Sequence, residues 1–202
     1  MTSRPENLAS EDRAAINRTG RPILIVPGLR NSGPGHWQRH WLAELDHAVL
    51  VEQTDWDAPT LGDWVASLMQ AIREHPGAIL VGHSLGCALI AHLAQLRGHR
   101  GIGGALLVAP ADVNRQGPAG KLLDGFSPVP LQRLAFQSTV AASENDPYVR
   151  LERAQEFARS WGAQFVNLGH AGHINVASGY GAWPEGQGLL RDLAEEAGPL
   201  PR

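Results

Sequence analysis

From about residue 20 onward, short apolar runs alternate along the chain with longer stretches of helical periodicity. The runs Pro22–Val26, Ala48–Glu52, Ala78–Gly82, Gly104–Ala109, Ala135–Ala142 and Ala163–Leu168 carry few polar interruptions, as in Ile23-Leu24-Ile25-Val26. That pattern predicts strands covered on both faces, the habit of parallel sheets. Between them, helices are predicted over His36–Leu45, Leu61–Glu74, Leu85–Arg97, Val149–Trp161 and Pro184–Glu196. Strand starts lie 26 to 31 residues apart, about the length of one βαβ unit. With right-handed crossovers, the prediction is an α/β protein: a doubly wound, mostly parallel sheet of about six strands with helices on both faces.

Composition narrows this picture. A chain of 202 residues with 43% hydrophobic and 18% charged residues fits one soluble domain, here 21–202. Residues 1–20 are polar and of mixed charge, and are expected to be a flexible lead-in; lacking an apolar core segment, they do not read as a signal peptide, so the expected location is cytoplasmic. A net charge of -3 argues against nucleic acid as a partner, and no apolar run is long enough to span a membrane. The single cysteine, Cys87, excludes an internal disulfide and a multi-cysteine zinc site. Residues 110–131, rich in Gly, Pro and polar groups, predict either a small lid over a site or a surface loop with a short helix.

In an open parallel sheet, ligands bind beyond the carboxyl ends of the strands, so chemistry is sought there. After the third predicted strand comes Gly82-His83-Ser84-Leu85-Gly86, which opens a predicted helix. Strand, sharp turn and helix around G-x-S-x-G describe a nucleophile elbow, with Ser84 at the tip. After the fifth strand comes Ser143-Glu144-Asn145-Asp146-Pro147, and after the sixth Gly169-His170-Ala171-Gly172-His173. An acid and a base thus follow the serine in the order Ser, Asp, His. Pro147 would fix the turn that aims Asp146, which favours it over Glu144, although Asp146 could instead cap the following helix. His170 and His173 both remain candidates for the base.

An oxyanion site needs two backbone N–H groups. Leu85, at the start of a helix, supplies one; the loop after the first strand supplies the other, with Leu29 favoured and Arg30 second. That loop does not match a dinucleotide or phosphate motif, since its glycines fall at 28, 33 and 35 and it has no lysine. Trp37 and His83 are candidate pocket residues, although the first reading is core packing for Trp37 and elbow packing for His83. Cys87, one helical turn past Ser84, reads as a small buried residue.

Taken together, Ile23-Leu-Ile-Val-Pro-Gly28 with His36-Trp37, Gly82-His-Ser-Leu-Gly86, Ser143-Glu-Asn-Asp-Pro147 and Gly172-His-Ile-Asn175 resemble the small α/β-hydrolases named after retinoblastoma-binding protein 9, with bacterial YdeN-like relatives. The spacing of 62 residues from Ser84 to Asp146 and 27 more to His173 is similar to that family's. The resemblance implies an α/β-hydrolase fold without a separate cap domain, a catalytic triad of Ser84, Asp146 and His173, and no metal or organic cofactor. It does not imply a substrate; together with the residues it supports a serine hydrolase acting on a small carboxylic ester or related acyl compound. Two other readings stand beside it: a hydrolase fold serving mainly as a protein-interaction module, and a metal hydrolase built on His170, His173 and Asp146, for which no further ligand is identifiable.

Overall fold

In the computed structural model, residues 6–97, 101–114, 121–198 and 200 are described. They build a six-stranded parallel sheet of order β2-β1-β3-β4-β5-β6, with β1 at Ile23–Val26, β2 at Ala48–Leu50, β3 at Ala78–His83, β4 at Ile102–Val108, β5 at Ser138–Ala142 and β6 at Gln164–Asn167. Each predicted strand is present, with its ends shifted by at most three residues. The expected α/β-hydrolase architecture is therefore borne out.

Why the strands are apolar throughout is visible in the two cores. Leu24, Val26, Leu80, Leu107 and Val140 face one side, where α3 (Leu61–Glu74), α4 (Leu85–Arg97) and α5 (Leu151–Trp161) pack. Their neighbours Ile23, Ile25, Ile79, Val81, Leu106 and Ala141 face the other, under α2 (Trp37–Glu44) and α6 (Pro184–Ala197). Side chains alternate across a strand, so covering both faces requires an apolar residue at each position. The order reverses between β1 and β3, and the loops at their carboxyl ends flank the crevice expected at such a switch point.

One expectation needs correction. Within the supposed lead-in, Glu6–Arg18 form a helix, α1, packed on α6; residues 1–5 lie outside the described residues. Ala9, Asp12, Ala15 and Ile16, at helical spacing, are all buried, and Asp12 pairs with Arg191 of α6. A buried stripe of two alanines, one carboxylate and a single isoleucine carries little hydrophobic signal in sequence. The helix therefore depends on its docking, as short helices generally do.

The 110–131 segment also takes shape. Its described part includes a 3-10 turn at Lys121–Phe126, anchored by Phe126, which is buried against Trp64. Part of the segment for which a lid or a surface loop is expected, residues 115–120, lies outside the described residues. Among the described residues no helix is long and apolar enough to cross a membrane.

If α1 belongs to the folded unit, truncating its most buried side chain must weaken the whole protein. Ile16→Ala is expected to lower unfolding stability by about 2–4 kcal/mol in a urea titration with the slope unchanged. A flexible lead-in would show no effect.

Candidate active site

Ser84 stands between β3 and α4 with φ at +55°, in the left-handed region that a non-glycine residue seldom adopts. Its turn is held by its own N–H, which donates to Val108 O at 3.0 Å, and by its carbonyl, which accepts from Cys87 N at 3.0 Å. The flanking glycines permit the turn. A Cβ on Gly86 would stand 2.2 Å from the carbonyl oxygen of Val26, and one on Gly82 would stand 2.8 Å from Ile90. Helix, elbow and β1 thus pass closer than any side chain allows.

Gly28, at the end of β1, closes the crevice from the other side. A Cβ there would lie 2.9 Å from Ser84 Cβ and 3.1 Å from the Leu85 nitrogen. The space beside Ser84 is thereby kept open to the Leu85 N–H, which starts α4 and has no hydrogen-bond partner among the described residues. In the same loop, Arg30 N–H donates to Trp56 O at 2.9 Å, whereas Leu29 N–H has no such partner among the described residues. Of the two, only the Leu29 N–H is uncommitted among the described residues.

The acid and base loops meet at the same end of the sheet. His173 Nδ1 lies 2.8 Å from Asp146 Oδ2 and 3.0 Å from Oδ1, with both residues buried. Asp146 does not cap α5, whose N-cap is Arg150; its Oδ1 accepts instead from Tyr148 N–H at 2.8 Å. Ser143 Oγ accepts from Ala171 N–H at 3.0 Å, and Asn145 Oδ1 from Gly172 N–H at 2.7 Å. These two polar side chains, which sequence reading passed over, sew the acid loop to the base loop.

The rival candidates fall together elsewhere. His170 is exposed and pairs with Glu144 at 3.4 Å, away from the Asp146–His173 pair. Among the described residues no three His, Cys, Asp or Glu side chains form a metal-binding group. Cys87 is buried, donates its S–H to Val108 O at 3.4 Å, and burial pushes its thiol pKa up, so it stays protonated.

Ser84, His173 and His83 share a cavity of about 270 Å³ with Gly28, Leu29, Arg30, Leu85, Ala111, Leu123 and Tyr148. Leu123 brings the 3-10 turn to its wall, and the Tyr148 ring stands edge-on to the His173 imidazole at 4.5 Å. His83 lies in the wall of this cavity. Trp37 does not: it is fully buried and its indole N–H donates to Ile174 O at 2.9 Å, because it anchors the first turn of α2 inside the core.

His36, also in the wall, was not singled out as a site residue. It caps α2, its Nδ1 accepting from Gln38 N–H at 3.2 Å, so the ring proton sits on Nε2. Burial, then the nearby His173 and Arg39, push its pKa down to about 4; burial and the same neighbour hold His83 well below the usual value. Both rings stay neutral at pH 7. The unfolded chain protonates His36 near its ordinary 6.5, so between there and about 4 the unfolded state binds more protons and stability falls as the pH is lowered. The full loss from His36 is on the order of 3 kcal/mol. Urea titrations from pH 7 down to about 4 are expected to show this decline, and His36→Asn, which keeps a capping acceptor, to reduce its slope.

The comparisons agree with this geometry. A family model described as serine hydrolase matches residues 23–192. A crystal structure described as that of a YdeN-like hydrolase from Pectobacterium atrosepticum is 32% identical, with a TM-score of 0.82 over 94% of this chain and 100% of that one. The ydeN gene product of B. subtilis is 24% identical, with a TM-score of 0.70 over 87% and 99% of the two chains. At 13% identity, an esterase from Rhodococcus shares the fold, with a TM-score of 0.64 over 88% of this chain and 91% of that one. Among curated proteins, none matches. The elbow, the buried Asp–His pair and the family match over residues 23–192 lead to one conclusion: this chain belongs to the serine hydrolase family, on an α/β-hydrolase fold.

Proposed function

We propose that the protein hydrolyses small carboxylic esters or related acyl compounds through a Ser84–His173–Asp146 triad. The observation that carries this reading is the buried His173–Asp146 pair opening into the same cavity as a serine held at a left-handed elbow. His173 would take the Ser84 proton as Oγ attacks the acyl carbon, forming the tetrahedral intermediate. Asp146, on Nδ1, fixes the tautomer that leaves Nε2 free for this and stabilises the imidazolium that results. The N–H groups of Leu85 and Leu29 would receive the negative charge on the carbonyl oxygen. His173 then returns the proton to the leaving alcohol, and a water activated by the same ring releases the acid and regenerates Ser84. None of these steps calls on a metal or organic cofactor.

The histidine environment supports this assignment of roles. With His36 and His83 held neutral beside it, the imidazolium formed on His173 meets no second positive ring. A cavity of about 270 Å³, walled by Leu29, Leu85, Ala111, Leu123 and Tyr148, suits a short acyl group. That size and the apolar part of the lining support a small acyl substrate, and the esterase sharing the fold is in keeping with it.

A fluorophosphonate probe is expected to label the intact protein and to leave Ser84→Ala unlabelled. Ester turnover by Ser84→Ala should fall on the order of 10⁴-fold or more, measured with p-nitrophenyl acetate. Labelling that survives Ser84→Ala would remove it as the nucleophile. Gly28→Ala, which places a methyl group against Ser84 and the Leu85 N–H, should lower kcat on the order of 10²-fold while the protein remains folded by circular dichroism.

A further inference from the structure

Two side chains outside the proposed proton path hold the backbone that carries His173. His83 Nε2 lies 2.9 Å from the His173 carbonyl oxygen, and Trp37 Nε1–H donates to the next carbonyl, that of Ile174, at 2.9 Å. A carbonyl only accepts, so the His83 proton must sit on Nε2. The two donors come from separate elements, β3 and α2, and their rings meet edge-on at 5.8 Å. Between the two held carbonyls lies Ile174, fully buried with φ at +49°, a left-handed conformation that a β-branched residue adopts only when its surroundings impose it. Released, that backbone would relax toward an ordinary region and turn the imidazole away.

We propose that His83 and Trp37 are positioning residues, whose paired N–H donors clamp the 173–174 backbone in its strained turn and so aim the His173 ring at Ser84. His83 immediately precedes Ser84 in the chain, so the element that presents the nucleophile also grips the base. Any shift of the elbow moves both groups together. The clamp rests on the reading of His173 as the base. It adds that the base is oriented from two sides: by Asp146 through its ring, and by His83 and Trp37 through its backbone.

The clamp makes distinct demands on substitution. His83→Leu removes the donor; His83→Gln restores an N–H at a similar reach; Trp37→Phe removes the indole N–H while keeping an aromatic ring in the core. In p-nitrophenyl acetate assays, His83→Leu and Trp37→Phe are each expected to lower kcat on the order of 10²-fold with KM unchanged, and His83→Gln to recover most of the loss. Added to His173→Ala, neither substitution should lower the residual rate further, whereas a general softening of the fold would. Proton NMR of the downfield His173 Nδ1–H resonance reads ring placement without turnover, and that resonance should shift or broaden in the Leu and Phe variants alone.

Unchanged kcat and an unchanged resonance in either folded donor-lacking variant overturn the clamp, as does a Gln variant no better than Leu. Should His83→Leu fail to fold, Trp37→Phe carries the same comparison. A wild-type protein that turns over no ester removes the functional reading, while the resonance still decides the clamp in either direction.

Discussion

The closeness of β1 to the β3–α4 elbow is the constraint on which the remaining structure depends. A Cβ on Gly86 would collide with Val26 O, and one on Gly28 would press against Ser84 Cβ. At such separations backbone packs on backbone, and no side chain can be inserted without moving a strand. Because β1 and β3 are neighbours in the sheet, any displacement of one is transmitted to the other through their shared ladder. The strained φ of Ser84 is sustained by that packing and by the bonds to Val108 and Cys87. Everything assigned to the crevice, from the free N–H of Leu85 to the open wall at Gly28, follows from this approach.

Around that fixed point, the loops that carry His173 and Asp146 are tied by short polar links. Ser143 and Asn145 fasten the acid loop to residues 171–172, while Trp37 and His83 fasten residues 173–174 to the other side. His173 therefore sits in a loop whose every peptide from 171 to 174 has a hydrogen-bonded partner outside the loop. Such redundancy answers the demand of the proposed catalysis, where small misplacements are costly. Neutral His36 and His83 add an electrostatic counterpart: burial disfavours positive charge on either ring, and charge arising on His173 would disfavour it further.

Much of this was legible along the chain because it is local or periodic. Apolar runs without alternation announced a sheet covered on both faces. The order of Ser84, Asp146 and His173, each just past a strand, placed all three at one end of it. Other features were out of reach because their partners are remote. Nothing near Arg30 shows that its N–H is spent on Trp56, and nothing near Trp37 shows that its indole meets Ile174, far along the chain. Helix α1 was hidden for a different reason, since Asp12 on its buried face reads as solvent-exposed until Arg191 is seen beside it.

By itself, then, the sequence determined the layered architecture, the elbow and the three residue types with their order, because periodicity and glycine spacing are written in consecutive positions. Only the tertiary structure decided which of Glu144 and Asp146 faces His173, which N–H in the first loop stays uncommitted among the described residues, and whether Trp37 lines the cavity or meets the Ile174 carbonyl. Each of those choices turns on a hydrogen bond between segments far apart in the chain, and such a bond exists only once the sheet has brought both ends together.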